Sequence, residues 1–168
     1  MRIQFLLLFL SFVLQNDNEE FLNNLKSHCG KSYEGKVIFP EGNSDPFAGK
    51  KLLITFQNCT DKEIRIPFEV GEDKSRTWIV TPTKDGMLLK HDHRHEDGTP
   101  DEITMYGGES LQGSALEQTF PADAYTANLI PQAAKNEWTL RFSADKKVLS
   151  YILKRDGALR FQADFNLE

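Results

Sequence analysis

Glu63-Ile-Arg-Ile-Pro-Phe-Glu-Val70 decides the fold class. Ile64, Ile66, Phe68 and Val70 fall on one side of an extended chain, and Glu63, Arg65 and Glu69 on the other. A two-residue period marks a strand with one dry face and one wet face. The same rhythm runs through Ala158–Leu167, where Leu159, Phe161, Ala163, Phe165 and Leu167 stand opposite Arg160, Gln162, Asp164 and Asn166. Lys51–Asn58 follows it with one exception at Leu53. Further candidate strands are Tyr33–Phe39, Arg76–Thr81, Gly86–His93, Glu102–Tyr106, Ser114–Phe120, Glu137–Phe142 and Val148–Lys154.

Turn signals separate these runs at Lys84-Asp85-Gly86, Asp97-Gly98, Gly107-Gly108, Ser143–Lys146 and Arg155-Asp156-Gly157. Asp-Gly between alternating runs is a hairpin signal, so Arg76–Thr81 should pair with Met87–His93, and Val148–Lys154 with Ala158–Leu167. Tyr106-Gly107-Gly108 reads as a hairpin bend. Two segments have helical character. Glu19–His28 carries Phe21, Leu22 and Leu25 at helical spacing, and Ala122–Ala134 is Ala-rich but cut by Pro131 into short turns. About eight to ten short strands with one dry face each point to an all-β protein, a single antiparallel up-and-down barrel. An open sandwich is the other way to hide those faces.

The start of the chain suggests export. Met1-Arg2 precedes an apolar block, Ile3–Leu14, which matches the charged and apolar regions of a secretory signal. The block is shorter than the roughly 20 apolar residues that span a bilayer comfortably. Residues 1–16 are therefore expected to be a signal peptide and residues 17–168 one barrel domain, secreted or periplasmic. The two cysteines, Cys29 and Cys59, are expected to form a disulfide in such a compartment. A metal-ligand pair is the rival, but the cysteines lack the close spacing such sites favour. The formal net charge is −5 with both signs mixed along the chain, so no basic stripe offers itself to nucleic acid. No second apolar run of membrane length follows.

The apolar leader, short leading helix, series of hairpins and early cysteine together resemble the lipocalin and wider calycin group. The likeness is architectural and spans most of residues 17–168. The lipocalin Gly-x-Trp of the first strand is missing, with Tyr33-Glu34-Gly35 in its place, and no helix follows an eighth strand. Bacterial haem-binding barrels of the nitrobindin kind share this size and topology, although no residue selects haem here. The resemblance implies a cup that holds a small apolar or amphipathic molecule.

Three of the four histidines lie at alternate positions in Lys90-His-Asp-His-Arg-His-Glu96. On a regular strand His91, His93 and His95 continue the face of Met87 and Leu89, and Leu88, Lys90, Asp92, Arg94 and Glu96 face water. The rings then point into the barrel near one end. Alternate strand positions lie about 6.5–7 Å apart, close enough for two imidazoles to share an ion with bonds of about 2 Å. Zinc or another transition metal is one expectation, with His91, His93 and His95 or a nearby carboxylate as ligands. Polar contacts to an organic ligand and a solvated hairpin end are the others. Trp78 and Arg76 share the inward face of the preceding strand. Trp78 is expected in the core or lining, and Arg76 as a clamp for a ligand carboxylate or a surface ion pair.

No catalytic residue stands out. Gly-x-Ser-x-Gly is absent, and oxidised cysteines supply no thiolate. The functions that remain are an exported small-molecule-binding barrel, with Arg76, Trp78, Met87, Leu89, His91, His93 and His95 as its site, a metal-dependent cell-envelope enzyme using His91 and His93, and a solid barrel that contacts another protein.

Overall fold

The computed structural model describes residues 17–40 and 47–168, so the expected signal peptide, residues 1–16, lies outside the described residues. A helix, α1 (residues 17–26), leads into ten strands. These are β1 (Ser32–Phe39), β2 (Leu52–Thr55), β3 (Ile64–Val70), β4 (Asp73–Pro82), β5 (Met87–His93), β6 (Tyr106–Ser110), β7 (Glu117–Pro121), β8 (Asn136–Phe142), β9 (Val148–Arg155) and β10 (Ala158–Asn166). Helix α2 (Ala124–Leu129) and a 3-10 turn (Pro131–Ala133) separate β7 from β8.

All the strand pairs are antiparallel, and the sheet order runs β6-β5-β4-β3-β2-β1-β10-β9-β8-β7. Sequence neighbours pair everywhere except across β6 and β7, and β1 pairs with β10. The sheet curls until its two edges meet, giving a nearly closed up-and-down barrel of ten strands. Both predicted hairpins form, β4 with β5 and β9 with β10.

Period-two alternation fills the interior. Ile64, Ile66, Phe68 and Val70 are buried and alternate with half-buried neighbours along β3. Leu52, Ile54, Leu89, Leu140, Ala163 and Phe165 are fully buried beside them. Helix α1 plugs one end with Phe21, Leu22 and Leu25, and Phe21 sets its ring edge-on to Phe142 at 5.7 Å. Cys29 and Cys59 form the disulfide, with Cα atoms 6.0 Å apart, and tie the segment after α1 to the loop after β2. On the chain-entropy model a bridge of this span stabilises the fold by about 3–4 kcal/mol. Pro131 ends the helical stretch as expected and takes the first position of the 3-10 turn.

Four expectations need correction. The sixth strand is Tyr106–Ser110 and not Glu102–Tyr106. Gly107 and Gly108 therefore form no hairpin bend; they lie inside the strand at the seam. A Cβ on Gly107 would sit 1.9 Å from the Leu89 carbonyl oxygen, and one on Gly108 would sit 1.6 Å from that of Pro121. Only glycines let β6 fit between its neighbours.

A β-bulge falls between Leu159 and Phe161, where Leu159 pairs with Lys154 and Phe161 with Leu153. The extra residue breaks the strict alternation. Leu159 shares the outer face with Ile152, Lys154 and Gln162, while Arg160 turns to the inner end beside Phe161. On β5, Asp92 does not face bulk water but is buried on the outer surface. Arg65 and Arg94 reach its carboxylate at 3.3 and 3.0 Å.

The seam between β6 and β7 is closed by side chains and by the entry to α2. The Gly107 N–H donates to Thr126 Oγ1 at 2.7 Å, and that hydroxyl donates to the Gly107 carbonyl at 2.8 Å. The Asp123 N–H reaches the same carbonyl at 2.9 Å. Asp123 also caps α2 by accepting from the Thr126 N–H, and pairs with Lys90. Lower down, Ser110 donates to Gln118, which in turn donates to Asn18 of α1.

Candidate functional site

The end of the barrel opposite α1 is hollow. A cavity of about 410 Å³ opens among the ends of β3, β5 and β9, the starts of β4, β6, β8 and β10, and the 3-10 turn. Nine of its seventeen lining residues carry rings. Such a lining suits an apolar or ring-bearing molecule.

Antiparallel register brings these rings together. Trp78 of β4 stands opposite His91 of β5, and Arg76 opposite His93. Trp78 stacks on Tyr151 of β9 with ring centroids 4.4 Å apart, and His91 stacks on Tyr106 at 4.6 Å. Trp138 of β8 tilts over His91 at 5.1 Å. The cavity floor is thus assembled from strands on both sides of the seam.

His91 is the buried polar centre of this floor. Its Nδ1 lies 3.1 Å from the Tyr106 carbonyl oxygen, and its Nε2 lies 2.9 Å from the Tyr151 hydroxyl. A carbonyl only accepts, so Nδ1 carries the proton. Burial holds the imidazole neutral, with its pKa pushed down to about 3. Nε2 must then accept, and Tyr151 donates to it. Tyr151 is itself kept protonated, because burial raises its pKa well above the usual value. The tyrosine oxygen keeps a lone pair beside the cavity.

His93 is half-buried and lines the cavity higher up, where its Nε2 lies 3.0 Å from the Tyr106 hydroxyl. Burial lowers its pKa, and the nearby Arg76 charge adds to the effect. Burial also lifts the Tyr106 pKa to about 12. Among the described residues no buried side-chain nitrogen or oxygen lacks a hydrogen-bond partner.

The structure gathers Arg76, Trp78, His91 and His93 around the cavity and separates the other sequence candidates from it. Leu89 is fully buried in the core, one layer below. Met87 reaches a different depression of about 640 Å³ at the α1 end, between that helix and the β4–β5 hairpin, with a wall of mixed polar and apolar character. His95 lies beyond the end of β5, exposed in a turn in which its N–H donates to the Thr99 carbonyl. The three histidines therefore do not converge. Both nitrogens of His91 are engaged, and among the described residues no group of three His, Cys, Asp or Glu side chains is placed to share a metal ion.

Tyr106, Tyr151, Arg155 and Arg160 are among the lining residues that were not singled out as site candidates from the sequence. Tyr151, Leu153 and Arg155 share one face of β9, so alternation along that strand carries the signal for two of them. Arg160 had no such signal, because the bulge turns it inward. Arg155 Nε donates to Asn136 at 2.8 Å, and Arg76 pairs with Asp73 at 2.6 Å while lying over the Phe47 ring.

The nearly closed barrel is compatible with a lipocalin-like architecture. Among the described residues no helix is long and apolar enough to cross a membrane. Compared with known proteins, the chain matches no family model and no curated protein.

Proposed function

We propose that this chain is an exported barrel that binds a small apolar or amphipathic molecule in the cavity lined by Arg76, Trp78, His91 and His93. The observation that carries this reading is the hollow end itself. The barrel is packed solid around Ile54, Ile64 and Leu140, yet about 410 Å³ is free where the rings gather. A barrel serving only as a protein-contact surface has no need of that space. The apolar leader block and the Cys29–Cys59 bridge support a secreted or periplasmic setting.

The floor chemistry supports reversible binding. His91 is neutral and held from both sides, so it positions the Tyr151 oxygen as a fixed acceptor for a ligand N–H or O–H. The stacked pairs Trp78–Tyr151 and His91–Tyr106 form rigid walls that lose little freedom on binding.

The test is a fluorescence titration with N-phenyl-1-naphthylamine, a neutral two-ring probe. Saturable binding is expected, competing with any compound extracted from the purified protein by organic solvent. Trp78→Ala and Tyr151→Ala should each weaken it. A titration with no saturable phase would overturn the proposal.

A further inference from the structure

Three arginines converge on one end of a chain whose net charge is −5. Their partners differ. Arg76 is neutralised by Asp73 at 2.6 Å. Among the described residues Arg155 bonds to a neutral amide, Asn136, and Arg160 is exposed. Among the described residues, neither Arg155 nor Arg160 has a carboxylate within ion-pair distance; Asp156, next to Arg155, pairs with Lys135. Among the described residues, two guanidinium groups without a carboxylate partner therefore stand at the opening of an apolar, ring-lined cavity.

Local geometry accounts for both. Arg155 ends β9 on the face of Tyr151 and Leu153, and the bulge in β10 brings Arg160 to the same cavity wall as Phe161. Strict alternation would have put Leu159 at this rim; with the bulge the rim carries a guanidinium instead. Guanidinium forks match the oxygens of carboxylates, sulfonates and phosphates, and their charge-assisted bonds are the stronger kind.

We infer that Arg155 and Arg160 hold the oxyanion head group of an amphiphile whose apolar body occupies the ring-lined cavity. This rests on the ligand-binding reading above and narrows it from apolar or amphipathic molecules to anionic ones. Arg76, already paired, flanks the head group and contributes less.

The experiment compares two probes that share the anilinonaphthalene body. N-phenyl-1-naphthylamine is neutral, and 8-anilinonaphthalene-1-sulfonate carries one oxyanion. The protein is expected to bind the sulfonate about tenfold more tightly, as charge-assisted contacts at a partly wet rim allow. The preference should shrink as salt rises. In the double variant Arg155→Gln with Arg160→Gln the two probes should bind equally, with the neutral probe held within about twofold of its original affinity, as expected when uniform apolar contacts are untouched. Retained affinity for the neutral probe also shows that the variant is folded. Arg141→Gln, on the outer face beside Glu117, should keep the preference.

Binding of both probes without preference in the unaltered protein would overturn this inference and leave the cavity reading intact. So would a preference that survives in the double variant. If neither probe binds, the cavity reading falls and this inference falls with it.

Discussion

Thr126→Val tests whether the barrel is shut by one hydroxyl. Thr126 is fully buried, and its Oγ1 both accepts from the Gly107 N–H at 2.7 Å and donates to the Gly107 carbonyl at 2.8 Å. Valine has nearly the same shape and neither bond. The carbonyl keeps its bond from the Asp123 N–H, but the amide has no second acceptor across the seam. A buried donor left unpaired costs about 1–3 kcal/mol. For a domain of this size each kcal/mol moves the melting temperature by about 2–4 °C, so a fall of roughly 2–12 °C is expected. Thr126→Ser keeps both bonds and removes one methyl group, worth about 1 kcal/mol. Urea unfolding followed by the fluorescence of Trp78 and Trp138 ranks the three proteins. The expected order is threonine, then serine, then valine. A valine variant as stable as the serine variant would show that the seam does not depend on the hydroxyl.

Other outcomes follow from the same structure. Replacing Cys29 and Cys59 with serine should lower stability by about 3–4 kcal/mol in a denaturant titration, since the bridge closes a long segment. Gly108→Ala should cost about 1–3 kcal/mol or more, because its Cβ would overlap the Pro121 carbonyl, and hydrogen exchange should quicken along β6 and β7. Acid should destabilise the fold through His91. Its folded pKa is about 3 against 6.5 when unfolded, so the unfolded chain binds the proton first as pH falls. This contribution is complete above pH 6.5 and is lost on descent toward about pH 3, at no more than about 1.4 kcal/mol per pH unit. His93 adds in the same direction, and His91→Gln should flatten the profile. His95→Ala should change stability by less than about 0.5 kcal/mol and leave probe binding unaltered, since the side chain is exposed and outside the cavity.

The strands were legible because burial imposes a simple rhythm. Ile64 to Val70 shows it without interruption, and Met87, Leu89 and His91 carry it along β5 into the site. The inward aim of Trp78 and Arg76 followed from the same rule. The rhythm fails where geometry adds a residue or removes a side chain. The bulge at Arg160 reversed two positions that strict alternation had assigned, and so concealed part of the rim. Gly107 and Gly108 read as a bend because glycine favours turns, but here the missing Cβ serves close strand approach. Asp92 read as solvated because its charge suggests water, yet two arginines and the Thr104 hydroxyl enclose it. His95 read as a ligand because alternation was extended past the end of its strand.

The order of strands also sets how the molecule can assemble. Every ladder but one joins strands that follow each other along the chain; the exception couples β1 to β10. Two local meanders, β1 to β6 and β7 to β10, can each zip up between strands adjacent in sequence, and a single long-range docking event unites them. Trp78 and His91 belong to the first arm, Trp138 and Tyr151 to the second. The chamber between them exists only after that docking, so occupancy by a guest molecule reports on completion of the last folding step and stabilises its product.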